Sequence, residues 1–98
     1  MRVRFRDAEL ERVERDPRAN GGYSEAIVNA FRRRMQAIRS AADERVFRDM
    51  KSLRFEKLKG AREHQRSMRL NDQWRLIIEF EGEGADRVAI IVGIEDYH

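Results

Sequence analysis

Two stretches in the C-terminal half of the chain carry the side-chain types that metal-free RNA cleavage needs. Arg54–Phe80 contains Glu56, Lys59 and Arg75, and the chain closes with Asp96-Tyr97-His98. In such a reaction a base takes the proton of the ribose 2′-OH, cations stabilise the charge that develops on the phosphate, and an acid protonates the leaving oxygen. An aromatic ring can stack on a splayed base and help to set the in-line geometry. RNA cleavage is therefore one hypothesis among several for these residues.

Other catalytic chemistries find little support in the sequence. There is no glycine-rich phosphate loop and no Ser-His-Asp arrangement, and the histidines, His64 and His98, lack partners at metal-ligand spacing. Cysteine is absent, which excludes a disulfide framework and a thiolate metal site. Metal-dependent hydrolysis and nucleoside-triphosphate chemistry are therefore not favoured, and we expect no cofactor and no metal.

The length and composition predict one domain, residues 1–98, with a core of modest size. No apolar run is long enough for a signal peptide or for the roughly 20 residues of a membrane span. Together with the absence of cysteine, this fits a cytoplasmic protein that does not associate with membranes.

The net charge of +3 conceals an uneven distribution. Residues 32–75 are strongly basic and rich in arginine, whereas residues 76–98 are acidic. A basic segment attracts polyanions, and arginine suits forked phosphate contacts and stacking on bases. Nucleic-acid binding and a merely solvated basic face are about equally compatible with this composition.

The N-terminal half carries the signals of one strand and two helices. Arg2–Phe5 alternates in polarity and predicts a short strand. Asp7 predicts the cap of a helix that runs to about Arg15, and Ser24 predicts the cap of a longer helix that runs to about Ser40. The residues expected to face the core are Val3, Phe5, Leu10, Val13, Ile27, Phe31, Met35 and Ile38.

The remaining helical segments are interpreted as follows. The run Arg32-Arg33-Arg34 is predicted to be a solvated face beside the apolar stripe, with RNA or ribosome binding as the less favoured interpretation. Asp43 predicts the cap of a shorter helix to about Lys51. The apolar residues expected to turn inward there are Val46, Met50 and Leu53.

From Ser67 onward, apolar residues recur at every second position, which predicts half-buried antiparallel strands. Leu70 and Trp74 must share a face, so the turn between them needs an odd number of residues, as Asn71-Asp72-Gln73 provides. The same argument applies to the Gly82–Gly84 turn, because Phe80 and Val88 on either side of it must also share a face. The apolar even-numbered positions are Met68, Leu70, Trp74, Leu76, Ile78, Phe80, Val88, Ile90, Val92 and Ile94.

We expect the helices to cover the even-numbered side of this sheet, the helix face, and to leave the other side, the open face, uncovered. The open face collects Ser67, Arg69, Arg75 and Ile77, and Tyr97 joins them if the last strand runs straight to the end. A sheet face with two central arginines and few large apolar groups is not a core face. It is a candidate surface for binding a polyanion.

The C-terminal half resembles the HigB-type toxins of bacterial toxin–antitoxin systems, a branch of the RelE/ParE superfamily. The resemblance rests on Leu58-Lys59-Gly60, on Ser67–Leu76 with its Asn71-Asp72-Gln73-Trp74-Arg75 core, and on Asp96-Tyr97-His98. It covers roughly residues 53–98, and the upstream part agrees in helix order and length. The resemblance implies an α+β fold, a small antiparallel sheet with N-terminal helices packed on one face.

The resemblance also implies an activity, which is ribosome-dependent cleavage of mRNA in the decoding site. It implies that Lys59 and Arg75 stabilise the scissile phosphate, that Tyr97 orients or stacks on the message, and that His98 with Asp96 takes part in proton transfer. A helix-turn-helix antitoxin of the HigA type is the implied protein partner. The further residues expected to contact RNA are Lys57 and Arg69.

One position departs from many family members, which have histidine where this chain has Glu56. A carboxylate beside Lys59 and Arg75 is expected to be ionised and therefore a weak base. His98, with an unperturbed imidazole pKa of roughly 6.5, is better matched to neutral pH. Glu56 and His98 both remain candidates for the general base.

Two alternative functions fit the same residues. A non-enzymatic relative on this fold could bind only an antitoxin or could poison gyrase, as ParE toxins do. A general RNA-binding domain is the other alternative, although exposed aromatic residues other than Tyr97 and Tyr23 are scarce. The combination of Lys59, Arg75, Tyr97 and His98 favours the enzyme.

Overall fold

A computed structural model describes residues 1–96 as a strand, then helices, then the remaining strands of one sheet, and Tyr97 and His98 lie outside the described residues. The helices are α1 (Ala8–Arg15), α2 (Glu25–Ser40) and α3 (Arg45–Asp49), and the strands are β1 (Arg2–Phe5), β2 (Glu56–Lys57), β3 (Gln65–Arg69), β4 (Trp74–Glu81) and β5 (Val88–Asp96). None of these helices is long and apolar enough to cross a membrane. The α+β arrangement predicted from the sequence is confirmed.

The strands form one mixed sheet in the order β1-β5-β4-β3-β2. Pairing is antiparallel from β5 through β4 and β3 to β2, as predicted. The edge strand β1 differs, because it pairs with β5 in parallel. A parallel pair needs a long crossover connection, and here α1, α2 and the other strands separate the two partners in the sequence.

The first two helices begin at the residues that the sequence predicts. Asp7 Oδ1 accepts hydrogen bonds from the backbone N–H groups of Glu9 and Leu10, and Ser24 Oγ accepts one from Ile27. Each cap satisfies donors that have no partner within the helix. The buried residues that these helices place on the sheet include Leu10, Val13, Ile27, Phe31, Met35 and Ile38.

The third helix turns a different side inward from the predicted one. Val46 and Met50 are 39% and 38% exposed, whereas Phe47 is fully buried. Phe47 packs against Phe55 and Phe80, with ring centroids 5.5 Å and 6.5 Å apart. The helix ends at Asp49, before the predicted Lys51, so the helical spacing from Val46 to Met50 is broken. This aromatic cluster fixes the segment that leads into β2.

β5 changes phase at a bulge. The register shifts between Ile77 and Ile78, which pair with Gly93 and Ile91, so Val92 is an extra residue on β5. An extra residue inverts the alternation of side chains between the two faces. The predicted phase is therefore wrong before the bulge and correct after it. The residues of β5 packed in the core are Ala89, Ile91 and Ile94, where the sequence predicted Val88, Ile90, Val92 and Ile94.

The arginine run on α2 is not a uniformly solvated face. The Arg32 guanidinium donates to the backbone carbonyls of Val13, Asp16 and Ala19 at 3.0–3.1 Å. Arg34 Nε donates to a carbonyl of β3 at 2.9 Å, and only Arg33 of the three is exposed. Arg32 satisfies carbonyls at and beyond the end of α1, so it ties the loop between the helices to α2.

Ion pairs cover the β1 side of the open face. They join three arginines in or just after β1 to acids of the C-terminal third. This pairing neutralises charges that composition alone would count as available to a polyanion. Glu79 is the most enclosed of these acids, since its side chain is only 13% exposed. The pairs are Arg2–Asp86 at 2.9 Å, Arg4–Glu81 at 2.6 Å and Arg6–Glu79 at 2.8 Å.

Glu79 accepts hydrogen bonds from two neighbours, and His64 Nε2 lies 3.5 Å from its carboxylate. Both terminal nitrogens of Arg6 donate hydrogen bonds to the Glu79 carboxylate, at 2.9 and 2.8 Å, and Gln65 Nε2 donates one to Glu79 Oε2 at 2.8 Å. The pKa of the Glu79 carboxyl is lowered to about 2, mainly by the hydrogen bond from Arg6 and next by the hydrogen bond from Gln65. The ionised carboxylate is therefore the form that the folded protein stabilises.

Replacing Arg32 with methionine should destabilise the fold by about 2 kcal/mol, because three partly buried carbonyls lose a charged donor. Arg33→Met is the matched control, since Arg33 is exposed and should cost less than about 0.5 kcal/mol. Urea unfolding of both variants measures the difference. Equal stabilities would show that the Arg32 contacts do not hold the helix connection.

The Glu79 contacts predict a pH dependence of stability. A depressed carboxyl pKa adds stability above the ordinary value near 4.5, and that stability is lost as pH falls toward about 2. The stability of the wild type should therefore fall more steeply between pH 5 and 2 than that of Glu79→Gln, which cannot titrate. Thermal melts across this range test the point, and parallel curves would contradict it.

Candidate active-site cleft

The open face contains a cleft of about 310 Å³ at the end of the sheet away from the β1 ion pairs. It lies over β3, β4 and the C-terminal half of β5, on the side opposite the helices. Both guanidinium and carboxylate groups reach its walls. The lining residues are Leu58, Arg62, Ser67, Arg75, Ile77, Glu95 and Asp96.

Strand pairing explains why these residues meet. Ser67 pairs with Ile77, which pairs with Gly93, so these three form one row across the sheet. The next row consists of Arg69, Arg75 and Glu95. A Cβ built on Gly93 would meet no atom within 4 Å, so the glycine leaves open space beside Ile77. The bulge brings Gly93 and Glu95 onto this face.

Arg75 is the central cation of the cleft, and it is only 6% exposed. Its Nη1 donates to the carbonyl of Arg54 at 3.3 Å. Arg54 has a left-handed backbone conformation, with φ of 46°, which is unfavourable for a residue with a Cβ. Because Arg75 is shielded from water, its charge should act more strongly on an anion in the cleft than an exposed arginine would.

Arg62 and Glu95 form a forked ion pair at the cleft wall, with N–O distances of 2.9 and 2.6 Å. Arg62 Nε also donates to Gln65 Oε1 at 2.8 Å. The hydrogen bond to Glu95 raises the pKa of Arg62. Sequence reasoning missed both residues. The parity of β5 after the bulge could have placed Glu95 beside Arg75, but Arg62 lies on a 3₁₀ turn, where no periodicity marks its direction.

Ser67 contributes a hydroxyl group to the cleft. The residue is 1% exposed, and among residues 1–96 its Oγ has no hydrogen-bond partner. A buried hydroxyl without a partner is costly and can donate to a ligand that enters. The sequence placed Ser67 on the open face but gave it no role.

The predicted residues on and after β2 do not all face the cleft. Glu56 pairs with Ser67, which puts it on the same face of the sheet at the exposed edge. Lys57 is the next residue and lies on the other face, because side chains alternate along a strand. Lys59 is exposed at the start of the 3₁₀ turn that carries Arg62 and is not among the residues that line the cleft.

Two further predicted residues, Asp96 and Arg69, lie near the β3–β4 hairpin turn. Asp96 lines it, and Asp96 Oδ2 accepts a hydrogen bond from Gln73 Nε2 at 3.0 Å. Arg69 forms an ion pair with Asp72 in the turn that follows β3. Tyr97 and His98 lie outside the described residues. The structure thus brings Arg75 and Asp96 together in the cleft, with Glu56 on the same sheet face, and it directs Lys57 elsewhere.

Comparisons with known proteins agree with this architecture. A chain described as "YoeB/ParE toxin from Agrobacterium tumefaciens" superposes with a TM-score of 0.64 at 15% sequence identity, over 100% of each chain. At this identity the likeness concerns the fold. No curated protein matches the chain. The family model described as "RelE-like toxin of type II toxin-antitoxin system HigB" matches residues 3–98. The chain therefore belongs to the HigB-like family of type II toxins, which form a branch of the RelE-like toxins.

Proposed function

We propose that this toxin is an endoribonuclease that cleaves mRNA positioned in the decoding site of the ribosome. The observation that supports the proposal most is the cleft on the open face, where the buried Arg75 lies beside the Ser67 hydroxyl, which has no partner among residues 1–96, and beside the Arg62–Glu95 ion pair. A protein surface that only bound another protein would have no need of a shielded cation aimed at a small polar cleft. A phosphodiester provides the anion that the Arg75 guanidinium can bind, and it fits a cleft of about 310 Å³.

In this reaction the ribose 2′-OH attacks the adjacent phosphorus, and the bond to the 5′-oxygen of the next nucleotide breaks. Arg75 stabilises the negative charge that develops on the phosphate oxygens, and because Arg75 itself is buried, water screens its charge less. Lys59 acts from the exposed turn and reaches the phosphate when RNA is bound. Asp96, which lines the cleft, takes part in proton transfer. Tyr97 orients the message and His98 shares in the proton transfer, the roles that the family resemblance implies for them.

The shallow cleft accounts for the requirement for a ribosome. A volume of about 310 Å³ accommodates a phosphate with part of its sugar but not a whole codon. Few aromatic side chains among the described residues are placed to hold splayed bases. The ribosome would therefore supply the orientation of the message, and such positioning is worth several kcal/mol in favourable cases.

The protein partner that we propose is a helix-turn-helix antitoxin of the HigA type. Membership of a type II toxin family implies that the chain has an antitoxin protein as its partner. A domain with net charge +3 and an arginine-rich middle suits a partner with complementary acidic surface. Co-purification with the product of the neighbouring gene tests this pairing.

Cleavage of mRNA on translating ribosomes tests the proposed activity. Purified toxin should cut ribosome-bound message and leave the same RNA largely intact when it is free. Lys59→Ala should reduce single-turnover cleavage by about 100- to 1,000-fold, because it removes one charge that stabilises the transition state, and it should unfold at the wild-type temperature because Lys59 is exposed.

Lys51→Ala is the control for this experiment, since Lys51 is also an exposed lysine and does not line the cleft. It should cleave as the wild type does. Efficient cutting of free RNA would refute the requirement for the ribosome. Absence of any cleavage, with gyrase inhibition instead, would favour a ParE-like activity.

The identity of the general base follows from a second pair of variants. His98→Ala should lower single-turnover cleavage by about 100- to 10,000-fold, the usual contribution of an acid–base group, with little change in ribosome affinity. The pH–rate profile should also lose the inflection near neutral pH. Glu56→Gln is the counterpart, and if it is inactive while His98→Ala remains active, the base is the carboxylate.

A further inference from the structure

The proposed reaction makes no use of the ion pair between Arg62 and Glu95, although both side chains line the cleft beside Arg75. The pair is forked, with distances of 2.9 and 2.6 Å, which is the geometry in which arginine also binds a phosphate. The Arg62 and Glu95 side chains are 46% and 43% exposed, so the pair is accessible to solvent and to a ligand. Glu95 thus holds Arg62 in the way that an anionic substrate would.

We propose that Glu95 occupies Arg62 in place of a phosphodiester, and that RNA entering the cleft exchanges with Glu95 so that Arg62 becomes a second guanidinium ligand beside Arg75. This inference rests on the proposed RNA substrate and adds a binding residue and a competing carboxylate to it. Without RNA, the cleft holds a neutralised arginine. With RNA, the same arginine contributes its charge to the phosphate.

The energetics favour exchange over a permanent pair. An ion pair between half-exposed side chains contributes roughly 0–1 kcal/mol, because water screens it and two long side chains lose freedom. A phosphate that already contacts Arg75 and the Ser67 hydroxyl would offer Arg62 an anion of equal fit at little cost. Glu95 stays paired with Arg75 through the backbone, so its side chain can turn toward solvent without disturbing the sheet.

Gln65 holds Arg62 in place during the exchange. Its Oε1 accepts from Arg62 Nε at 2.8 Å, and its Nε2 donates to Glu79 at 2.8 Å. Gln65 is buried, at 8% exposure, and Glu79 is fixed by Arg6. The Nε atom is not part of the fork that faces Glu95, so this contact can persist while the two terminal nitrogens change partners. Gln65 is therefore a positioning residue.

Binding of an uncleavable RNA tests the proposal. The probe is a trinucleotide with 2′-O-methyl groups on every ribose, and its dissociation constant is measured by NMR titration at fixed ionic strength. Glu95→Gln should bind the probe about fivefold more tightly than the wild type, the factor that corresponds to loss of a competing exposed pair. Glu14→Gln is the matched control, because Glu14 forms a similar forked pair with Arg39 on the helix side. It should leave affinity within about twofold, since it removes the same charge away from the cleft.

A double variant separates a direct contact from simple repulsion by Glu95. If Arg62 binds the phosphate, adding Arg62→Gln to Glu95→Gln should weaken probe binding by about tenfold, because a charged hydrogen bond is lost. Adding Arg39→Gln instead should change it by less than about twofold. The proposal is overturned if Glu95→Gln binds the probe no more tightly than the double variant with Arg62→Gln. It is also overturned if Glu95→Gln and Glu14→Gln have equal effects, or if Glu95→Gln does not bind the probe.

This assay does not depend on catalysis, so the two proposals can fail separately. If the wild type cleaves mRNA on the ribosome but the variants bind the probe as the wild type does, the proposed exchange is refuted and the proposed nuclease activity stands. If the variants bind the probe as expected but the wild type does not cleave mRNA, the proposed nuclease activity is refuted and the cleft remains a phosphate-binding site. Amide spectra of all variants check that the fold is retained.

Discussion

The position of β4 in the middle of the sheet constrains the rest of the structure. It pairs with β5 on one side and β3 on the other, and residues 75–78 are buried whichever face they occupy. On the helix face, apolar residues of α1 and α2 provide the cover. On the open face, no second layer exists among residues 1–96, so polar side chains must shield the strand themselves. That requirement produces both the ion pairs beside β1 and the cleft beside β2.

The shielding polar groups have to be satisfied, and their partners determine what the open face can do. Near β1, arginines and acids neutralise one another, so this half offers little net charge to a polyanion. Near β2, Arg75 is buried against a backbone carbonyl, and the Ser67 hydroxyl has no partner among residues 1–96. A buried cation and a hydroxyl without a described partner thus lie at one end of the sheet, and this end also holds Asp96, another residue that the sequence marks for chemistry.

The sequence predicted those parts of the structure that follow from local rules. The caps at Asp7 and Ser24 and the alternation through β3 and β4 depend on neighbours within a few residues, and these predictions are confirmed. The phase of β5 could not be predicted, because nothing local distinguishes a straight strand from one with an extra residue at Val92. The inward side of α3 was mistaken because Phe47 is fixed by aromatic contacts with distant segments.

The candidate site was predictable in part for the same reason. Strand parity placed Arg75 on the open face, but its burial depends on a carbonyl far away in the sequence. Arg62 and Glu95 meet only because a 3₁₀ turn and the end of β5 converge.

The parallel pairing of β1 with β5 has a further consequence, for folding. These strands lie at opposite ends of the described chain, so closing the sheet requires a contact of very long sequence separation, the kind that slows folding. On a translating ribosome, β1 emerges before β5 and must wait for it, and Glu95 and Asp96 at the end of β5 are the last of the cleft residues to be synthesised. A nascent copy of this toxin therefore cannot assemble its cleft until β5 has left the exit tunnel.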